Sequence, residues 1–308
     1  MLVGLRRSHK SPRAGVDRRS ARQRIPLLWA APALVLVLGF HYIAMGAGAW
    51  YSVTNWNGVS SHARFVGLSN FTQILHDSQA RSALWHTLEL AGAFVVASNV
   101  LGIALAGGLH RAVKTRFILR ALFFAPVLMS PLAVSYVWQF IFQPNGPLNR
   151  LLSVIGLGSI TEPWLGSPTW ALWTIFVVLV WQFSGLTMTF YLAGLQRIPE
   201  ELGESAAVDG SRPFRTFRKI AFPLLAPAMT IGVTFTLITG LRVFDQVIAL
   251  TSGGPDGATE TLATQVYSQT FIYGRFGYGA AFALIMTIII VVVSAIQLAI
   301  LRRREARL

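Results

Sequence analysis

The sequence predicts an all-α, polytopic membrane protein with six transmembrane helices and both ends on one side of the bilayer. Three observations lead there. Of 308 residues, 54% are hydrophobic and 12% are charged, about half the charged share of an ordinary soluble domain. Six apolar runs, at 26–51, 83–108, 117–142, 169–192, 224–247 and 278–301, each reach the ~20 residues that a helix needs to cross the hydrocarbon core. Finally, 21 of the 26 Lys and Arg lie in four segments that a six-span topology gathers on one side. The positive-inside rule makes that side cytoplasmic.

Residues 1–25 are basic and low in apolar content, which reads as a mobile cytoplasmic tail that sets orientation. The run at 26–51 follows arginines and contains Ala47-Gly48-Ala49, so it imitates a signal peptide. Its apolar stretch outlasts the ~7–15 residues of a signal core, and a retained helix is expected. The second run offers Ala93, Ala97, Ala104 and Gly108 as a small-residue face for close helix approach. His86 and Glu89 in the same run are three apart, which suggests a hydrogen-bonded pair or, in a competing reading, a proton relay.

The third run carries Pro126 and Pro131, each of which removes a backbone donor, so a kink near mid-membrane is expected. The fourth is interrupted by Gln182, Ser184, Thr187 and Thr189, and the fifth is closed by Arg242 and Asp245. The segment 302–308 is a second basic tail. The outer connections 52–82, 143–168 and 248–277 are too short for separate domains, though each has room for a short interfacial helix. Trp50, Tyr51, Trp85, Trp138, Trp164, Trp170 and Tyr278 fall near their edges, as an interfacial aromatic belt does.

Several functions are excluded early. The basic residues are placed by topology, which argues against a nucleic-acid partner. The chain has no cysteine, so disulfides, thiolate catalysis and cysteine-held zinc or iron–sulfur sites are ruled out. Neither a phosphate-binding G-x-x-x-x-G-K-[ST] loop nor an H-E-x-x-H zinc motif occurs, and no catalytic or metal site is expected. Gln182-Phe183-Ser184-Gly185 puts glutamine where an intramembrane serine protease needs glycine.

The segment 199–223 is the most informative. Glu200, Glu201, Glu204 and Asp209 precede Arg212, Arg215, Arg218 and Lys219, all between two spans on the basic side. Pro199 suits a helix start, and Glu200 and Glu201 suit the positive end of its dipole. Asp209-Gly210 suits its C-terminal cap. Ser211 and Pro213 then suit the start of a second short helix, whose Phe214, Phe217 and Ile220 form an apolar stripe. Two short helices at an angle, with a small face beside Ser205 and Ala206, make a docking knob for another protein.

Glu204-Ser205-Ala206, Gly210, Ile220, Phe222 and Pro223 resemble, in identity and spacing, the EAA loop of permease subunits of binding-protein-dependent ABC importers. Ser205 stands for an alanine and Phe222 for a leucine of the pattern. "FVGLSNF", "GPLNRLL", "LAGLQRIPEEL" and "LTSGGP" extend the resemblance over 26–301, to the carbohydrate-uptake branch with its maltose- and glycerol-phosphate-type first permeases. The resemblance implies a type I importer fold in a bacterial cytoplasmic membrane. Partners would be a homologous second permease, two ATPase subunits carrying ATP and Mg²⁺, and an extracytoplasmic binding protein delivering sugar. This chain would bind no cofactor itself. Glu201, Glu204, Ser205, Ala206, Asp209, Gly210, Ile220 and Pro223 would couple it to the ATPases.

Polar groups within spans are candidates for the solute pathway: Ser130, Tyr136, Gln139, Trp181, Gln182, Arg242, Asp245 and Gln246. Arg242 and Asp245, three apart on one expected helix, can instead neutralise each other. The competing function is a proton-coupled secondary transporter of a small polar solute, using His86, Glu89 or Asp245.

Overall fold

A computed structural model describes residues 27–110 and 114–305. The basic tail 1–25, and Arg111 and Arg307, lie outside the described residues. The chain divides near Gly46. In the first part, α1 (Leu27–Val37) runs through a π-helical turn, Leu38–Ile43, into α2 (Ala44–Ser52). The stretch Trp29–Ser52 is long and apolar enough to cross a membrane.

The remainder is helical, and among the described residues its one isolated β contact pairs Thr54 with Phe65. It contains α3 (Ser69–His76), α4 (Ser78–His110), α5 (Arg116–Leu128), α6 (Pro131–Ile141), α7 (Pro147–Val154), α8 (Ala171–Leu195) and α9 (Glu200–Val208). There follow α10 (Pro213–Thr216), a π-helical turn Phe217–Ala221, α11 (Phe222–Leu224), α12 (Ala226–Leu241), α13 (Asp245–Thr251), α14 (Leu262–Tyr267) and α15 (Phe276–Glu305). With Trp29–Ser52, α4, α8 and α15 make four helices long and apolar enough to cross a membrane, and the number is six when each of two bent pairs is taken as one span. Short helices α3, α7 and α14 occupy the three connections where interfacial helices fit.

Both bent spans depart from the expected outline. The third breaks into α5 and α6 at 100°, far more than a kink. Pro131 is responsible, because it forces the preceding Ser130 out of the helical region, to ψ 136. Pro126 is carried inside α5 and buried. The fifth span begins earlier and ends earlier than 224–247. Pro213–Leu224 meets α12 at 71°, where Pro227 cannot donate to the Pro223 carbonyl. The helix then ends at Leu241, with Arg242 as its C-cap. Similarly, α15 continues past 301 into the basic segment, to Glu305.

The bundle is built around α4, α8 and α12. In lipid the association of helices rests on close packing and interhelical hydrogen bonds, since the tails are as apolar as the side chains. The small face that packs on α4 is Ala91, Ser98, Gly102 and Ala106, all buried. It is not Ala93, Ala97, Ala104 and Gly108; Ala104 and Gly108 are exposed and the other two half-buried. A Cβ on Gly102 would lie 2.8 Å from Thr187 Cβ on α8, and one on Gly240 would lie 3.0 Å from Ala91 Cα. Asn99 ties the three helices together. It accepts from the Tyr191 hydroxyl at 2.6 Å and donates to Thr236 Oγ1 at 2.8 Å and to the Val95 carbonyl at 2.7 Å.

The aromatic residues at the edges of the outer connections differ in burial. Trp50, Trp85 and Trp170 are exposed, but Tyr278 is buried and belongs to a small core with Ile74, Leu262 and Phe282. Its hydroxyl points to Asp77 Oδ2 at 3.3 Å, while Arg275 sits 4.0 Å above its ring. The same polar cluster resolves His86, whose Nδ1 meets the Glu260 carbonyl at 3.1 Å rather than Glu89. The expected His86–Glu89 pair is replaced by a long-range tie.

Candidate functional site

The helix α9 starts after Pro199, with Glu200 and Glu201 in its first turn, where the dipole favours negative charge. It ends at Asp209 in a Schellman arrangement. The Ser211 N–H donates to the Ala206 carbonyl at 2.9 Å, and the Gly210 N–H donates to the Ala207 carbonyl at 3.0 Å. Gly210 occupies the left-handed position, φ 70, with open space where a Cβ would stand. Conformation, not crowding, requires glycine there. The next helix is capped by Arg212 without a side-chain bond, not by Ser211 as the sequence suggests. Ser211 Oγ accepts from Thr216 Oγ1 at 3.1 Å instead.

Of the small residues, Ala206 alone turns inward; Glu201, Glu204, Ser205 and Asp209 are exposed. The apolar stripe also divides. Phe217 and Ile220 are half-buried, and Phe217 packs against Phe222 with ring centroids 6.2 Å apart. Phe214 is 75% exposed, and Val208, which the sequence pattern did not single out, is 88% exposed. Pro223 is half-buried near the 71° bend. A cavity of about 570 Å³ lies between α9, the Pro213–Ala221 stretch and the ends of α4 and α8. Gly107, His110, Leu195, Glu204, Phe217 and Ile220 are among its walls. His110 had no signal in the motif; only folding brings the end of α4 here.

Among the candidate pathway residues, the structure joins Gln182 and Gln246. Both are buried, and Gln246 Nε2 donates to Gln182 Oε1 at 2.9 Å. Gln182 Nε2 reaches the Met129 carbonyl at 3.5 Å, beside the break between α5 and α6. Trp181 lines an apolar cavity of about 490 Å³ with Phe123, Pro126 and Phe176, and its ring is edge-on to Trp138 at 5.4 Å. Ser130 is exposed at the break, Tyr136 is exposed on α6, and Gln139 is half-buried. Arg242 and Asp245 do not share a helix. Arg242 ends α12 and Asp245 begins α13, both exposed, so the expected neutralisation along one helix is absent.

The glutamine pair gives a first prediction. Gln182→Leu removes the acceptor of a buried Gln246 amide, and the cost is expected to be about 1–3 kcal/mol. Replacing both glutamines by leucine is expected to recover most of that loss, because no buried amide is then stranded. Thermal unfolding of the single and double variants in detergent measures the difference.

Glu260 lies outside the spanning helices, at the α14 connection. Burial pushes its carboxyl above the ordinary range, and the Asp77 charge adds to this. The Gln265 hydrogen bond and His86 pull the other way. A carboxyl whose pKa is raised on folding contributes stability at low pH that is lost as pH rises through the folded value. Stability is therefore expected to fall as pH climbs from the usual carboxylate range towards that higher value. Glu260→Gln is expected to flatten this slope in melting curves taken across the window.

Residues 98–306 match the family model described as the binding-protein-dependent transport system inner membrane component. The multiple sugar-binding transport system permease protein MsmF of Streptococcus mutans serotype c is 36% identical over 272 residues, covering 88% of this chain and 93% of that one. The probable starch degradation products transport system permease protein AmyD of Thermoanaerobacterium thermosulfurigenes is 33% identical, covering 91% and 95%. Among solved structures, a chain of a bacterial alginate ABC transporter, in complex with an alginate pentasaccharide-bound periplasmic protein, superposes with a TM-score of 0.79. It is 23% identical and covers 91% of this chain and 95% of that one. With the apolar spanning helices and the helix–turn–helix at Glu200–Leu224, these matches establish that the chain belongs to the inner membrane component family of binding-protein-dependent transport systems.

Proposed function

We propose that this chain is the transmembrane subunit of an ATP-driven importer for a sugar or oligosaccharide. With a homologous second permease it forms the translocation pathway in a bacterial cytoplasmic membrane. An extracytoplasmic binding protein delivers the solute. Two ATPase subunits, holding ATP and Mg²⁺, dock on the loop 199–223 and drive alternating access; this chain catalyses nothing itself. The observation that carries this is the exposed knob at the loop. Glu204 and Ser205 face outward beside Val208 and Phe214, on a turn fixed by Gly210. The names of the relatives supply the solute class.

In this scheme the knob transmits force because α9 and the Pro213–Leu224 helix are short, rigid and anchored at the ends of α8 and α12. Motion at the knob reaches the bundle through the 71° bend. Ser130, Tyr136 and Gln139 are pathway candidates on the broken third span itself. Gln182 lies beside its break with Gln246 and Trp181 as neighbouring candidates, and Arg242 and Asp245 are candidates at the end of the fifth. The competing proton-coupled scheme loses its motive in the His86–Glu89 pair, since His86 is engaged by the Glu260 carbonyl. Uptake of labelled oligosaccharide into vesicles containing the assembled complex separates the two. The importer requires ATP and an intact ATPase; uptake that survives ATPase loss and collapses with an uncoupler overturns it.

A further inference from the structure

The helices α5 and α8 cross where Gly185 lets the two backbones touch; a Cβ there would lie 2.9 Å from Phe124 Cα. A groove of about 370 Å³ opens beside the crossing. Its floor is apolar, with Met188 and Leu192 buried and Phe124 half-buried. Its end is polar, with Arg120, Thr189 and Gln196. This end is the one that carries the docking knob, because Arg120 Nη2 donates to the Leu109 carbonyl at 2.6 Å and the next residue, His110, lines the knob's cavity.

The two helices of the groove carry no carboxylate to offset its arginine. Arg120 Nε is buried with no hydrogen-bond partner among the described residues. Its guanidinium carbon lies 5.8 Å from the centroid of the Phe117 ring, and that of Arg116 lies 4.9 Å from the same centroid. Two like charges thus share one ring. The sequence places no Asp or Glu anywhere from Glu89 to Glu162 between those two residues, nor in α8, so neither helix of the groove supplies a counter-ion. An arginine one turn inside a spanning helix can keep its stem in apolar surroundings while its head reaches the polar boundary. Basic pockets between spanning helices suit anionic lipid phosphate, and arginine binds phosphate oxygens through its planar fork.

We propose that this groove holds an anionic phospholipid, its phosphate on Arg120 and an acyl chain along Phe124, Met188 and Leu192. The site rests on membrane insertion of the chain and is independent of the solute transported. Native mass spectrometry of the full chain, purified in a neutral detergent, tests it with phosphatidylglycerol and phosphatidylcholine of equal chain length. Phosphatidylglycerol is expected to be retained about fivefold better, as one well-placed arginine supplies. Arg120→Gln is expected to abolish the preference and Arg120→Lys to keep part of it.

Ala193→Trp, which leaves Arg120 intact and fills the apolar channel from an exposed position, is expected to abolish it too. That variant keeps the test valid if Arg120→Gln fails to fold. Equal retention of the two lipids by the native chain overturns the proposal. So does an undiminished preference in both Arg120→Gln and Ala193→Trp, or retention of inorganic phosphate alone in place of lipid.

Discussion

Gly185→Val is expected to prevent accumulation of the folded chain. A Cβ at this position meets the Phe123 carbonyl carbon and oxygen, which are backbone atoms and cannot swing aside, and it lies 2.9 Å from Phe124 Cα. The substitution therefore has to displace α5 as a body from α8. Overpacking a well-filled interior costs about 1–3 kcal/mol and more where backbone must move, and a branched side chain on a helix-facing position belongs to the upper end. Moving α5 also disturbs the contact of Gln182 with the Met129 carbonyl and the Arg120 bond to Leu109. Monodisperse protein on size exclusion is the readout. Gly108→Val is the matched control, since nothing stands within 4 Å of its Cβ, and it is expected to accumulate normally.

The paired substitution Val208→Asp with Phe214→Asp is expected to abolish transport and leave the fold intact. Both side chains stand in solvent, 88% and 75% exposed, so neither contributes to the bundle. Burying an exposed valine and phenylalanine against a partner is worth about 1.5–3 kcal/mol each, and burying unpaired carboxylates in their place adds a penalty. A loss near 3 kcal/mol corresponds to about 100-fold weaker association. Co-purification of the ATPase subunits and ATP-dependent uptake should vanish together, with an unchanged melting temperature of the chain. Retained ATPase with lost uptake would instead place these residues in force transmission after docking.

Much of this structure was legible in the residues, for reasons that differ between elements. Length and hydropathy set the spans, because only helices satisfy their own backbone in lipid. The end of α9 was legible because Asp209-Gly210 is a local chemical signal, realised in the Schellman bonds of Gly210 and Ser211. The packing face of α4 was not. That helix is apolar on every side, and only α8 and α12 decide that Ser98 and Gly102 rather than Ala97 and Ala104 meet a neighbour.

Pro126 and Pro131 announced a kink but not the 100° break that the structure shows at Pro131. Asn99 gave no pattern signal and became the hub of three helices because Tyr191 and Thr236 arrive from 92 and 137 residues away. Arg242 and Asp245 looked like one helical pair because nothing in their spacing reveals that α12 stops at Leu241.

The central claim is that the helix–turn–helix at Glu200–Leu224 faces the cell interior and is covered there by a nucleotide-driven partner. The chain has no cysteine of its own, so a single Ser205→Cys, at an exposed position, reports without background. Labelling with a membrane-impermeant maleimide should fail in intact cells, succeed in inside-out vesicles lacking the ATPase, and be blocked when the ATPase is restored. Labelling from outside intact cells would contradict the orientation, and labelling in vesicles that the ATPase leaves unchanged would contradict the docking.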